Sequence, residues 1–189
     1  MPAQTSSTPE FALRLEGVAL GYGDFTVLRD ISMDVRAGQV VAVMGGSGSG
    51  KTTLLRAATG QLVAQQGRVL AFGQDIGRAT AAELQSLRKR MGVLFQQGAL
   101  FTDLNVFENV AFPLREHTKL SESDITDRVL DKLDAVGLRA AAHLKVAEIS
   151  GGMARRVALA RAVVLEPELI LYDEPSPGWT RSRWASPPA

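Results

Sequence analysis

The pattern of apolar and polar positions along the chain predicts alternating strands and helices. Two short runs, Val40–Met44 and Leu169–Tyr172, are apolar throughout. The first has the pattern of a strand that is buried on both faces of a parallel sheet. Further strands are predicted at Phe11–Leu20, Val27–Val35, Arg68–Phe72 and Gly92–Phe95. The alternation favours an α/β fold with a mainly parallel sheet.

Residues at helical spacing lie between these strands. The sequence predicts helices at Thr52–Thr59, Ala81–Arg90, Asn105–Phe112, Ser121–Val136 and Met153–Leu165. Ser121, with Asp124 three residues later, is a capping signal, and Gly137 marks the end of that helix. Pro167 blocks an extension of the last helix. Between Gln96 and Glu148 the pattern is helix and loop only.

Composition narrows the class of protein. The 189 residues suffice for one domain with a sizeable core, and the net charge of +1 gives no bias towards nucleic acid. The chain has no cysteine, which excludes disulfides, thiolate zinc sites and a cysteine nucleophile. No apolar run reaches the roughly 18 residues of a membrane span, so we expect membrane association only through a partner. Residues 1–10 do not resemble a signal peptide and are predicted to be a disordered lead.

A glycine-rich loop after the first apolar run carries the strongest chemical signal. The segment from Gly45 to Thr52 fits the pattern G-x-x-x-x-G-K-[ST] between a predicted strand and a predicted helix. Glycines let backbone N–H groups point at phosphate oxygens, Lys51 supplies positive charge, and the Thr52 hydroxyl can bind Mg²⁺. The predicted ATP contacts are Gly45, Gly46, Ser47, Gly48, Ser49, Gly50, Lys51, Thr52 and Thr53. The loop alone does not separate kinases, GTPases and other ATPases.

Two carboxylates, Asp173 and Glu174, follow the second apolar run. Parallel sheets bind their ligands at the carboxyl ends of the strands. We therefore predict that Asp173 holds Mg²⁺, directly or through water, and that Glu174 polarises the attacking water as general base. An isolated pair of this kind would instead favour a strand that has reached solvent, and the phosphate loop upstream is what favours function.

A serine and two glycines open the last predicted helix, in the segment Ile149–Met153. Such a helix start is a second anion site, or simply a serine cap with a flexible lead. Because Ala154, Arg155 and Arg156 follow it, the segment resembles the LSGGQ signature of ABC ATPases, with Ile in place of Leu and Met in place of Gln. The resemblance implies that a second copy of the chain has its ATP contacted by Ser150, Gly151, Gly152 and Met153.

The same resemblance gives roles to two further residues. Tyr22 looks like the aromatic residue that stacks on adenine, and Gln96 looks like the Q-loop glutamine that touches Mg²⁺ and the attacking water. Taken singly, Tyr22 is also consistent with a packed or surface turn aromatic, and Gln96 with an ordinary polar strand end. Their order over residues 11–175 is what fits the family.

The resemblance implies a fold and a division of the chain. We expect an α/β P-loop NTPase of ABC type, with a mainly parallel core sheet, an antiparallel β subdomain and an inserted helical subdomain. The nucleotide-binding core is expected at 11–95 and 149–175, and the helical subdomain at 96–148. The family also implies a homodimer with two composite ATP sites, joined to transmembrane permease subunits.

The apolar segment after Gln96 indicates a particular subgroup of the ABC family. Residues 97–107 would fit a docking groove for a permease, although Leu100, Phe101 and Phe107 are equally consistent with the core of the helical subdomain. From Leu94 to His117 the chain closely resembles the ATPase of the Mla-type (toluene-tolerance) phospholipid-transport system. That resemblance implies an MCE-domain lipid-binding partner and a place on the cytoplasmic face of the bacterial inner membrane. It is also the sole basis for phospholipid as cargo.

The family pattern ends after Pro175. The family continues with a D-loop aspartate, a further strand and an H-loop histidine, whereas residues 176–189 contain neither Asp nor His, and His117 and His143 lie in the helical insertion. Restoring one base to a back-translation of residues 176–185 gives Phe-Ala-Gly-Leu-Asp-Pro, similar to a D-loop, which suggests a frameshift. We expect a full-length parent to hydrolyse ATP, and this chain, with its last core elements missing, to fold poorly and hydrolyse little.

Other functions compete with a transporter subunit. A soluble ABC-type ATPase acting on ribosomes or DNA would usually carry tandem domains, coiled coils or basic arms, and the sequence shows none. A truncated nucleotide binder without hydrolysis is a second alternative. A P-loop kinase is the weakest, because the signature segment argues against it.

Overall fold

Two long antiparallel strands open the structure. The computed structural model describes residues 10–94 and 99–173. β1 (Phe11–Tyr22) pairs with β2 (Phe25–Arg36), and Tyr22 lies opposite Phe25 across the turn. Gly23 is the first turn residue, and its φ of 55° is accessible to glycine at little cost. Both predicted strands are confirmed, with a turn shorter than the predicted four residues.

A four-stranded antiparallel sheet grows from this hairpin. β3 (Gln66–Ala71) pairs with the other edge of β1, and β4 (Gln74–Asp75) follows, giving the order β2-β1-β3-β4. Helix α1 (Lys51–Ala58) packs against β1 and β3. The shared core includes Leu13, Leu15, Val18, Leu20, Ala57, Val69, Ala71, Leu87, Met91 and Leu169. This sheet forms the predicted antiparallel β subdomain.

A second, parallel sheet of two strands lies beside the first. Helix α2 (Ala81–Lys89) leads into β5 (Met91–Leu94), which pairs in parallel with β6 (Leu169–Tyr172). Arg90 and Glu168 join the starts of these strands by two hydrogen bonds of 2.5 and 2.9 Å. Because the two residues are far apart in sequence, this pair helps to fix which residues of β5 and β6 face each other.

We expect the Arg90–Glu168 pair to give a pH-dependent contribution to stability. The hydrogen bond from Arg90 holds the pKa of Glu168 below its ordinary value. The contribution is therefore complete above that ordinary value, about 4.3, and is lost as pH falls through the lowered pKa. Since both side chains are partly exposed, it is at most about 1 kcal/mol. Urea unfolding of the parent and of Glu168→Gln measures it as a difference that is present at neutral pH and shrinks in acid.

A control for this prediction is Glu116→Gln, which removes an exposed carboxylate that takes no part in this ion pair. It is expected to change the free energy of unfolding little at either pH. A Glu168→Gln difference that stayed constant from neutral to acid pH would contradict the role given to this ion pair.

The predicted strand Val40–Met44 is wrong. The run has no regular secondary structure, and its side chains are exposed, Val40 to 77% and Met44 to 91%. An apolar run becomes a strand only where a neighbouring strand supplies hydrogen bonds. No strand within 10–94 or 99–173 pairs with it. Of the predicted mainly parallel core sheet, these ranges contain the two parallel strands β5 and β6.

Three helices form a second hydrophobic core. They are α3 (Val106–His117), α4 (Glu122–Ala135) and α5 (Gly151–Val163), and short 3₁₀ turns at Arg139–Ala141 and Val146–Glu148 connect α4 to α5. The core includes Val106, Val110, Leu114, Ile125, Val129, Leu133, Leu138, Val157, Ala160 and Val164. The predicted capping box of Ser121 and Asp124 is confirmed. No helix in the described ranges is long and apolar enough to cross a bilayer.

The predicted end of α3 at Phe112 is wrong, because the helix continues through Pro113 to His117. Proline cannot donate to the carbonyl four residues earlier, which normally interrupts a helix. Here Leu114 is fully buried, and Arg115 pairs with both Glu108 and Glu122. These contacts require the extra helical turn and offset the missing hydrogen bond.

Candidate functional site

Gly50 joins the glycine-rich loop to helix α1. It occupies the N-cap position with a φ of 93°, a conformation that other residues rarely adopt. A Cβ at this position would lie 2.8 Å from the Cγ of Leu28 on β2. Glycine is therefore required here by the backbone and by the space available. The same contact shows that β2 lies next to the loop.

Lys51 holds the loop in a curled conformation. Its ammonium donates hydrogen bonds of 2.9 Å to the carbonyl oxygens of Gly45 and Gly46. Ser49 closes the curl from within, since its backbone N–H donates to Gly46 at 3.3 Å. Lys51 is also the first residue of α1. A fixed positive charge thus coincides with the positive end of a helix dipole, an arrangement suited to phosphate.

Thr52 and Asp173 meet although 121 residues separate them. The Thr52 hydroxyl donates to the two carboxylate oxygens of Asp173 at 3.3 and 3.2 Å. The backbone N–H of Asp173 in turn donates to Leu94 on β5, which positions it at the carboxyl end of the parallel strands. Thr52 and Asp173, the predicted Mg²⁺ ligands that lie within the described residues, are therefore close together in the fold.

The chemistry of this pair fits Mg²⁺. A hydroxyl and a carboxylate are hard oxygen ligands. The Thr52 and Asp173 oxygens lie 3.2 Å apart, close enough for one cation to bind both. Within residues 10–94 and 99–173, no group of three or more His, Cys, Asp or Glu side chains is placed to hold a metal. A site with one carboxylate agrees with the way Mg²⁺ is usually held, by one or two carboxylates, waters and phosphates of the ligand.

Tyr22 lies beside the phosphate-loop helix. Its hydroxyl accepts a hydrogen bond of 3.0 Å from Arg56 on α1. Hydrogen bonding with Thr53, and then with Arg56, lowers the pKa of the Tyr22 hydroxyl. Thr53 is buried, whereas the Tyr22 side chain is 46% exposed. The tyrosine is thus anchored at its hydroxyl, and part of its ring faces solvent. Arg56 was not predicted, because no motif marks it.

The signature residues cap their own helix. Ser150 is the N-cap of α5, and its hydroxyl accepts a hydrogen bond of 3.2 Å from the Met153 N–H. Gly151 and Gly152 are exposed, whereas Met153 is partly buried against the second core. None of the hydrogen bonds described for Ser150, Gly151, Gly152 and Met153 joins them to the phosphate loop. The helix begins two residues before the predicted Met153.

Two predicted catalytic residues, Gln96 and Glu174, lie outside the described residues, and their roles stay predictions. Asn109, which sequence reasoning missed, holds the loop from Phe101 to Asn105 in place. Asn109 is fully buried, accepts from the Phe101 N–H at 2.9 Å and donates to the carbonyls of Phe101, Leu104 and Asn105. The available signal was an Asn among the apolar positions of α3.

The aromatic residues of this segment divide between core and surface. Phe107 and Leu100 pack against the second core. The rings of Phe101 and Phe112 lie 4.8 Å apart and are 44% and 40% exposed. Arg161 of α5 donates to the Ala99 carbonyl at 2.9 Å and so connects Ala99 to the signature helix. Among the described residues of the predicted surface, Phe101 is the exposed aromatic one, and Phe112, which lies beyond residues 97–107, extends it.

A phosphate loop, a threonine–aspartate pair and a capped Ser-Gly-Gly helix start on an α/β fold define the class of protein. The chain belongs to the ABC transporter family, whose model matches residues 28–177. It is 53% identical over 166 residues to the intermembrane phospholipid transport system ATP-binding protein MlaF of Haemophilus influenzae, which covers 88% of this chain and 63% of the relative. The chain thus spans less than two thirds of that relative's length.

Two further similarities extend the comparison. The chain is 45% identical over 167 residues to the probable ribonucleotide transport ATP-binding protein mkl of Mycobacterium leprae, covering 88% of this chain and 48% of that protein. Its fold matches the dimeric ATP-binding cassette MJ0796 in a post-hydrolysis state bound to ADP and Pi, with a TM-score of 0.80 and 29% identity. That match covers 90% of this chain and 77% of the cassette. The predicted ABC-type fold class is confirmed.

Proposed function

We propose that this protein binds and hydrolyses MgATP and thereby energises an ABC transporter. The observation that carries the proposal is the contact between the Thr52 hydroxyl and the Asp173 carboxylate next to the glycine-rich loop. Phosphoryl-transfer sites of the P-loop type need this combination of loop, lysine, hydroxyl and acidic residue. Two segments far apart in sequence supply it.

Each group has a distinct role in this proposal. Lys51 and the loop N–H groups bind the β- and γ-phosphates, and Thr52 and Asp173 would hold Mg²⁺, which neutralises phosphate charge when bound. Glu174 would orient and polarise the attacking water, and Gln96 would contact that water and Mg²⁺. Ser150, Gly151, Gly152 and Met153 of a second copy close the site. We include a homodimer with two such sites in the proposal, as the similarity to ABC-type cassettes suggests.

We propose phospholipid as the cargo of that transporter. The 53% identity to a protein named for intermembrane phospholipid transport supports this more strongly than the 45% identity to a probable ribonucleotide transporter supports nucleotides. The partners would be transmembrane permease subunits and an MCE-domain lipid-binding protein. Nucleic acid is not expected among the partners. The protein would then lie on the cytoplasmic face of the bacterial inner membrane. Phe101 and Phe112 are the described residues that we place at the permease contact.

We also propose that the chain is divided into the two subdomains predicted from the sequence. The nucleotide-binding core comprises 11–95 and 149–175, the helical subdomain comprises 96–148, and 1–10 and 176–189 lie outside both. Two separate hydrophobic cores support the division. Helix α5 belongs to the core segment in sequence, yet its Val157, Ala160 and Val164 pack in the helical cluster. It is therefore the element through which the two parts would move together.

Replacing Thr52 by valine tests the metal-dependent part of the proposal. The substitution keeps the volume and removes the hydroxyl that faces Asp173. We expect the affinity for ATP in Mg²⁺ to fall about tenfold, equivalent to about 1.4 kcal/mol, while the affinity for ATP in EDTA stays unchanged. Asp173→Asn is expected to act in the same direction. Titration calorimetry with and without Mg²⁺ measures both, and phosphate release measures hydrolysis.

Thr126→Val is the matched control, because its hydroxyl bonds only to Glu122 of its own helix α4 among the described contacts. Equal affinity of the parent for ATP in Mg²⁺ and in EDTA would contradict the metal site. Binding of MgATP without phosphate release would favour the alternative of a nucleotide binder that does not hydrolyse.

A further inference from the structure

A second exposed aromatic residue lies beside Tyr22. Phe25 is 71% exposed, which is unusual for a phenylalanine and leaves a large apolar ring in water. It is the residue opposite Tyr22 at the end of the β1–β2 hairpin. Residues directly opposite in an antiparallel pair project from the same face of the sheet, with their Cβ atoms about 5 Å apart. The two side chains therefore leave the hairpin from neighbouring positions on the same face.

The face from which they project is the face that carries the phosphate-loop helix. The Tyr22 hydroxyl is bound by Arg56 of α1, one helical turn beyond Lys51 and Thr52. On the other strand, Leu28 contacts Gly50, the last glycine of the loop. Phe25 lies three residues before Leu28, which is about 10 Å along a strand. The end of the hairpin thus stands next to the loop, at a distance that a ribose and base can span.

We propose that Phe25 is a second aromatic contact for the base of the nucleotide, which it faces together with Tyr22. This inference rests on the proposed function, because it takes the phosphates to be bound by the loop at Lys51. A planar base is the occupant that the chemistry fits: it covers apolar ring surface and stacks on aromatic faces without needing hydrogen bonds. Every base has such a face, so the contact adds affinity without selecting adenine over guanine.

The test compares ligands with and without a base. The probes are MgATP, MgGTP and magnesium tripolyphosphate, each competing with a fluorescent ATP analogue on the purified chain. We expect Phe25→Ala to weaken MgATP and MgGTP about five- to tenfold and to leave tripolyphosphate unchanged. Phe25→Trp is expected to restore both nucleotide affinities. Its added tryptophan fluorescence, measured against the parent, is expected to be quenched by MgATP and not by tripolyphosphate.

Phe11→Ala is the matched control. Phe11 starts the same hairpin, lies under the guanidinium of Arg14, and stands about 35 Å along β1 from Tyr22. Its removal is expected to leave all three affinities at the parent value. This separates a loss of base contact from a general loosening of the two strands.

Two results would overturn the inference. Unchanged nucleotide affinity in Phe25→Ala excludes a contact with the base, and an equal loss for nucleotides and tripolyphosphate shows that the substitution acts on the loop instead. Failure of the proposed function looks different, because the parent chain would then bind neither MgATP nor tripolyphosphate. Binding of both by the parent, with the nucleotide loss confined to the Phe25 variant, supports the two proposals together.

Discussion

Lys51→Ala is expected to weaken ATP binding roughly 10- to 100-fold, because hydrogen bonds to charged groups contribute about 1.5–3 kcal/mol. The substitution removes the positive charge at the start of α1 and both hydrogen bonds that hold the carbonyls of Gly45 and Gly46. The loop then loses its curl as well as its charge. Titration with MgATP and with magnesium tripolyphosphate measures the effect, and both ligands are expected to lose affinity equally.

Lys89→Ala is the control for the change in charge. Lys89 is an exposed residue in the last turn of α2, so its removal lowers the net charge equally without touching the loop. It is expected to bind ATP as the parent does. If Lys51→Ala bound ATP with the affinity of the parent, both the proposed function and the interpretation of the loop as a phosphate site would be wrong.

Asn109→Ala is expected to destabilise the protein by about 2–4 kcal/mol. The substitution leaves the partly buried N–H of Phe101 and the carbonyls of Phe101 and Leu104 without their side-chain partner, and it opens a cavity beside the second core. The segment from Phe101 to Asn105 would lose its attachment to α3. Urea unfolding, followed by helical circular dichroism, measures the change in the free energy of unfolding.

Asn105→Ala provides a graded comparison on the same helix. Asn105 is the N-cap of α3, and its side chain accepts a hydrogen bond of 2.7 Å from the Glu108 N–H. The loss of such a cap costs about 1 kcal/mol. The expected order is therefore a larger loss for Asn109 than for Asn105. The reverse order would show that the buried amide is not the main anchor of this segment.

The residues of the site that could be predicted are those that belong to a continuous sequence motif or directly follow a recognisable strand. The glycines, Lys51 and Thr52 form one continuous motif, and Asp173 follows an apolar run that did become a strand. The general rule that ligands bind at the carboxyl ends of parallel strands then predicted their meeting. Arg56 and Phe25 could not be found in this way, because their importance depends on which faces of a helix and a hairpin come together in the fold.

The errors of the fold prediction have the same origin. Val40–Met44 has the composition of a buried strand, but a strand also needs neighbours, and these are supplied by segments distant in sequence. The sequence predicted the end of α3 at Phe112, yet the burial of Leu114 and the two ion pairs of Arg115 outweighed the local penalty of Pro113. In both places long-range contacts, which a single sequence does not reveal, decided the outcome.

The placement of Met153 has a consequence for how variation at the end of the signature is interpreted. Its thioether side chain rests against the helical core, while Ser150 and the two glycines carry the exposed surface of the helix start. An exchange between methionine and glutamine here would first alter the fit between α5 and its neighbouring helices. Natural replacements at this position are therefore expected to track substitutions in the interior of the helical region, besides altering the contact proposed with the ATP of a second copy.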